Sequence, residues 1–174
     1  MRAEDLVLEP LSDVHRLDGF DSGVEDLDNW LRLHALAAHR MDSARTFVVV
    51  RGANVVGYVS LTMGSVQRAE APGWLVRGMP GYPVGVVLVA RLAIDRTEQG
   101  AGLGTRLLAQ SLRIAVIAGE AAAARLVMVD AIDERAAHFY RRHGFTATLD
   151  HPLRLYRRMK DVRASLNEAE RKGR

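Results

Sequence analysis

The stretch from Val86 to Leu108, VVLVARLAIDRTEQGAGLGTRLL, narrows the folds open to this chain more than any other. Its apolar run VVLVARLAI reads as a buried strand, EQGAGLG as a glycine-rich turn, and Leu103, Leu107, Leu108, Ile114 and Ala118 recur at helical spacing. The unit is strand, turn, helix. Gly100, Gly102 and Gly104 leave no side chains over the turn, so backbone N–H groups at the helix start point into open space, where the positive end of the helix dipole also lies. Such a turn holds a phosphate or pyrophosphate.

Two familiar phosphate loops do not fit. A nucleoside-triphosphate loop ends in Gly-Lys-Ser/Thr, whereas Gly104 is followed by Thr105 and Arg106, which disfavours ATP or GTP. A dinucleotide fingerprint is spaced G-x-G-x-x-G and opens a βαβ unit; here the spacing is G-x-G-x-G and the strand lies late in the chain, which disfavours NAD.

The 174 residues suit a single domain that buries roughly 70% of its unfolded surface without covalent staples. The chain contains no cysteine, and its six histidines show no metal-ligand spacing, so no disulfide, thiolate nucleophile or metal is expected. The first residues, MRAEDLVLEP, lack the apolar core of a signal peptide, and no run approaches the ~20 apolar residues of a membrane span, so a cytoplasmic protein without membrane association is expected. Charge is lopsided: residues 141–174 hold 10 basic and 4 acidic residues, so the basic end faces outward to an acidic partner.

Along the chain, Val7-Leu8 predicts a short strand and Glu25 to Met41 a helix, with Leu27, Trp30, Leu31, Leu33, His34 and Ala38 on its packed side and Asp26 and Asp28 in its first turn. Arg45–Arg51 and Val55–Leu61 predict a hairpin turned at Gly52-Ala53-Asn54. Residues 67–83, with three prolines and three glycines, predict a functional loop in which Trp74, Met79 and Tyr82 serve either as a cover for the site or a partner surface, or as ordinary packing. The helix after the glycine turn runs to about Gly119, and Leu126–Ile132 predicts a strand parallel to the central one. Asp133 caps a short helix ended by Gly144, residues 145–148 and 153–159 close the sheet, and residues 164–174 form a charged tail, helical or frayed and mobile from about 165.

Gln99-Gly100-Ala101-Gly102-Leu103-Gly104 matches the Q/R-x-x-G-x-G/A signature of the GNAT N-acetyltransferases, and VDAIDERAAHFYRRHGF resembles their downstream segment ending in F-Y-x-x-x-G-F. FDSGVEDLDNWL, VGYVSL and PVGVVLVARLAID further resemble the acetyltransferase toxins of bacterial toxin–antitoxin modules, whose layout the chain keeps throughout. That resemblance implies an α/β fold of GNAT type: a mixed, mostly antiparallel sheet with a splayed central parallel strand pair and flanking helices. It also implies an acyltransferase (EC 2.3.1) that moves acetyl from acetyl-CoA to the α-amine of an aminoacyl-tRNA, blocking translation, with a DNA-binding antitoxin as partner and a homodimer as assembly.

By the same match, the backbone of Leu92, Ala93 and Ile94 pairs with the pantetheine arm, and Gln99, Gly100, Ala101, Gly102, Leu103, Gly104 and Thr105 hold the pyrophosphate. Tyr140 lies beside the thioester sulfur as general acid. Many relatives carry an acidic base on or near the central strand, but this strand holds only Arg91. The absence fits an α-amine acceptor, with pKa near 8 against about 10.4 for lysine, which is largely neutral once its carboxyl is esterified. His138 and His143 stand as candidate bases, at most one of them facing the site; Asp133, where many relatives have asparagine, is expected to cap rather than bind cofactor. Arg77, Arg91, Arg141 and Arg142 are candidates for tRNA phosphates. Two other functions share the cofactor residues: acetylation of a protein N-terminus, lysine or small amine, and a non-catalytic acyl-CoA sensor.

Overall fold

The computed structural model describes residues 6–148 and 150–173. They pack as two compact units, one made of the chain through Thr62 together with Ala90–Leu112, the other of Met63–Val89 and Arg113 onward.

In the first unit, β1 (Glu9–Pro10) pairs antiparallel with β2 (Arg45–Arg51), and β2 with the stretch from Asn54 to Leu61 of β3 (Asn54–Val66). The expected hairpin turns where predicted, with Gly52 at φ +62°, and a bulge lies between Val49 and Val50. The strand expected at Val7-Leu8 forms instead two residues later. Leu11 is the side chain that enters the core, its N–H donating to the Thr46 carbonyl at 2.9 Å, and this register leaves Val7 outside. A one-residue change of register would turn the opposite side chains inward.

Helix α1 (Glu25–Trp30) passes through a π turn, Leu31–Ala35, into α2 (Leu36–Arg40). A π turn carries i→i+5 bonds and so shifts the phase of the apolar stripe. Leu33, expected on the packed side, is 69% exposed, because two residues on from Leu31 it lies roughly 200° round the helix, whereas Leu31 and Ala35, four apart, share the buried face. They meet Phe20, Val48, Tyr58 and Ala93 in one core. Tyr58 sits at its centre, its ring stacked on Trp30 at 6.0 Å and edge-on to Phe20 at 5.6 Å, its hydroxyl donating to the Leu27 carbonyl at 2.8 Å. That bond satisfies the one polar atom the burial would otherwise strand.

In the second unit, residues 67–83 carry more structure than their prolines and glycines suggest: a 3-10 turn at Arg68–Glu70 and the short helix α3 (Gly73–Val76). Pro72 precedes α3, where its missing N–H costs nothing, and burial of Leu75 and Val76 holds the turn. Strand β4 (Val84–Ile94) pairs in parallel with β5 (Leu126–Asp130) from Val86↔Leu126 to Val89↔Val129, and β4 itself continues to Ile94. It is the only parallel pair of named strands among the described residues, the connection being α4 (Leu103–Ala122). β5 pairs antiparallel with β7 (Arg154–Arg158), and β7 with β6 (Thr146–Ala147). Between β5 and β6 lies α5 (Glu134–Arg142).

The final helix α6 (Met159–Lys172) takes up most of the segment expected as a tail. Arg113 pairs with Glu170 at 2.5 Å and Arg163 with Glu120 at 3.1 Å, tying α6 to the second half of α4. Among the described residues no helix is long and apolar enough to cross a membrane.

Candidate functional site

The glycine turn belongs to the first unit. Gly100 and Gly102 have φ of +82° and +79°, in the left-handed region, and a Cβ built on either meets nothing within 4 Å. Backbone conformation demands glycine here, and the space a side chain would fill is open. Helix α4 starts at Leu103, the Arg106 N–H already bonding to the Gly102 carbonyl at 3.2 Å. The earlier amides of the first turn have no intrahelical acceptor, so they are donors available to an anion. An acetyl-CoA pyrophosphate fits this cradle.

Side chains around the turn hold it and stay out of the opening. Gln99, read from the motif as a phosphate residue, spends its amide on the backbone: Nε2 donates to the carbonyls of Ser22 at 2.9 Å and Ile94 at 2.8 Å. Leu103 is buried, as are Ala93 and Ile94, leaving their backbone as the part that can meet a ligand; Leu92 is half-buried, and Ala101 and Thr105 are exposed.

Sequence reading missed the floor beneath the turn. Asp95, 8% exposed, accepts from Asp21 N–H at 2.9 Å, Thr97 N–H at 3.0 Å and the Thr97 hydroxyl at 2.7 Å. Burial disfavours its charge, but those donors and Arg96 outweigh it and hold the carboxyl below its ordinary value. Arg96 N–H donates to the Asp21 carbonyl at 2.8 Å, and Ser22 gives its N–H and hydroxyl to Asp28 at 3.0 and 2.6 Å. Asp28, taken from sequence as a complement to the helix dipole, is thus a buried acceptor that fastens the FDSG segment. The one available signal was the density of short acidic and hydroxyl side chains in FDSGVEDLD, which favours local side-chain to backbone bonds.

Arg91 on β4 lies over the Trp30 indole, 4.2 Å from the ring centroid, a cation–π contact. The tRNA-phosphate reading of Arg91 therefore starts from a half-buried guanidinium that already has an aromatic partner.

The second unit holds Tyr140. Helix α5 is capped as expected, Asp133 accepting from Ala136 N–H at 2.8 Å, and ends with Gly144 at φ +87°. The positive φ is what calls for glycine at Gly144; a Cβ there would also come within 3.0 Å of the Arg157 guanidinium, the movable end of a flexible side chain. Tyr140 is 6% exposed, its ring edge-on to Phe139 and Phe145 at 5.2 and 5.7 Å. Burial pushes its hydroxyl well above the ordinary phenol range. At neutral pH it is a proton donor and not a base. Among the described residues burial is the only influence on that hydroxyl and no hydrogen-bonding group acts on it, so the donor is uncommitted.

His143 is fixed by a 2.8 Å contact from Nδ1 to the Phe139 carbonyl, which places the proton on Nδ1, while His138 is exposed. Arg141 is ion-paired with Glu134; Arg142 is exposed with no ion pair among the described residues; Arg77 lines a cavity to which Arg141 and Arg142 do not contribute. The four arginines are thus in different circumstances.

Residues 42–147 match the family model described as an acetyltransferase (GNAT) domain. A tRNA-acetylating toxin of Mycobacterium tuberculosis (strain ATCC 25618 / H37Rv) is 41% identical over 158 residues, covering 91% of this chain and 95% of the relative. Among solved structures, AtaT complexed with acetyl-methionyl-tRNAfMet superposes with a TM-score of 0.83 at 29% identity, over 92% of this chain and 98% of that one. A mutant AtaT toxin bound to the C-terminus of the antitoxin AtaR and acetyl-CoA gives 0.77 at 28% identity, over 91% and 96%. With its cradle, its capped tyrosine helix and these likenesses, the chain belongs to the GNAT acetyltransferase family.

Proposed function

We propose that this chain transfers acetyl from acetyl-CoA to the α-amine of an aminoacyl-tRNA and thereby blocks translation. The observation that carries the reading is the open glycine cradle at the start of α4, joined to 41% identity with a relative named as a tRNA-acetylating toxin. Backbone groups of Gly100 to Thr105 hold the pyrophosphate, and those of Leu92, Ala93 and Ile94 hold the pantetheine arm; bound acetyl-CoA supplies the acetyl thioester.

Tyr140 donates its hydroxyl proton to the sulfur as the carbon–sulfur bond breaks and the amine nitrogen bonds to the acetyl carbon. The acquired ammonium proton then restores the phenol. A hydroxyl raised by burial and free of protein acceptors suits that role. No carboxylate lies on β4 to act as base, so the acceptor must arrive neutral, as an α-amine of an aminoacyl ester does. Arg77, Arg91, Arg141 and Arg142 take tRNA phosphates. A DNA-binding antitoxin as partner, a homodimer and a cytoplasmic site of action complete the reading.

The test is acetyl transfer from labelled acetyl-CoA to deacylated tRNA, charged tRNA, an N-terminal peptide and a lysine peptide. Transfer to charged tRNA alone is expected. Preference for either peptide would make the enzyme a protein acetyltransferase, and absence of transfer to any amine with acetyl-CoA bound would make it an acyl-CoA sensor.

A further inference from the structure

The second unit contains a cavity of about 800 Å³, within the range of roughly 300–1,000 Å³ typical of small-molecule sites. It lies among α3, the end of α4 and the start of α6, and its wall holds five basic side chains: Arg77, Arg125, Arg158, Lys160 and Arg163. Glu120 is the one acidic residue of the lining, and it is ion-paired to Arg163 at 3.1 Å; Arg158 is paired to Asp161 at 2.7 Å. Arg77, Arg125 and Lys160 are exposed and have no ion pair among the described residues. The cavity therefore has surplus positive charge with donors suited to phosphate oxygens.

Its wall also carries an aromatic face. Trp74 is 44% exposed, an unusual state for an indole, and the Arg158 guanidinium stands 5.9 Å from its centroid. Exposed aromatic rings beside cationic side chains are how proteins take up unpaired bases: the ring stacks on the base while the cations hold the phosphate. A duplex presents its phosphates on a convex surface, which a concavity of this size does not match. An acidic peptide would use the cations and leave the indole without a partner.

We propose that this cavity is a nucleotide site, binding one nucleoside phosphate with the base on Trp74 and the phosphate among Arg77, Arg125 and Lys160. The ligand is either a free nucleotide or an unpaired nucleotide projecting from an RNA strand. For Arg77 the proposal deepens the RNA contact assigned above; otherwise it is independent of acetyl transfer, and its test reads binding alone.

Calorimetry on the full chain, titrating AMP, GMP, a five-nucleotide single-stranded RNA, inorganic phosphate and an oligoglutamate peptide, decides it. AMP or GMP is expected to bind if the ligand is free, and the RNA alone if it is a strand. Trp74→Ala should weaken that binding roughly tenfold or more, as loss of one stacked base does, and leave phosphate binding unchanged. Lys160→Glu with Arg125→Glu, both at exposed positions whose replacement leaves the core intact, should weaken nucleotide and phosphate alike. Failure of every nucleotide and RNA to bind, tighter binding of oligoglutamate, or affinity indifferent to both variants would overturn the proposal. A Gly102→Ala variant separates the sites, since nucleotide binding lost there and kept in the cavity variants would place the ligand at the α4 cradle instead.

Discussion

Replacing Asp95 tests whether the floor beneath the glycine turn supports it. Asp95→Ala removes the acceptor of the part-buried bond from the Asp21 N–H, and releases the Thr97 N–H and hydroxyl, which water can reach because Thr97 is exposed. Counting the Asp21 bond in full at about 1.5–3 kcal/mol, as a bond to a charged acceptor, and the lost cap at roughly 1 kcal/mol gives a destabilisation of at most about 2.5–4 kcal/mol, water at the exposed Asp21 taking back part of it. A domain stable by roughly 5–15 kcal/mol survives that loss, so urea unfolding followed by circular dichroism can read it. Acetyl-CoA affinity, by calorimetry, should fall with it, because Asp95 and Gln99 together fix the entry to the cradle.

pH sharpens the test. The folded Asp95 carboxyl titrates below its unfolded value of about 3.9, so its stabilisation is fully present above that value and is lost as pH falls through the lower, folded one. The stability gap between the wild type and Asp95→Asn should therefore be constant near neutrality and narrow below pH ~4. A gap that does not change on acidification, or an Asp95→Ala cost under about 0.5 kcal/mol, the level of an ordinary surface change, would refute the reasoning.

Gly102→Ala should cost roughly 1–2 kcal/mol from its left-handed φ alone, since its Cβ meets nothing, yet abolish acetyl-CoA binding by filling the phosphate space; calorimetry showing unchanged affinity in the folded variant would remove the cradle assignment. Tyr140→Phe should leave unfolding midpoint and acetyl-CoA affinity close to wild type, because no hydrogen-bonding group acts on the hydroxyl, while lowering turnover by about 10²-fold or more. Single-turnover rates equal to wild type would exclude Tyr140 as the acid. Arg142→Glu should reduce acetylation of charged tRNA more than that of a free amino-acid ester, and the wild-type tRNA reaction should weaken as salt rises, by roughly 0.7–0.9 log units of affinity per phosphate contact per decade of salt. Equal losses on both acceptors would point to a role for Arg142 in the α5 end alone.

Local chemistry was legible in the sequence because it depends on neighbours along the chain. The turn at Gly100 and Gly102, the Asp133 cap, the Gly144 stop and the parallel order of β4 and β5 all follow from residue types within a few positions, or from the handedness of a helical crossover. The glycine spacing and F-Y-x-x-x-G-F carried the family as well. What tertiary structure alone decided was how distant side chains were spent. Gln99 gives its amide to Ser22, 77 residues away, and Asp95 accepts from Asp21 at a separation of 74, pairings that no periodicity encodes. The π turn at Leu31–Ala35 is likewise unmarked, since the residue types there fit an ordinary 3.6-residue helix equally well. The basic cavity around Trp74 gathers α3, α4 and α6 from positions up to 89 residues apart, so its charge was visible in the sequence only as a count, and its concavity was not visible at all.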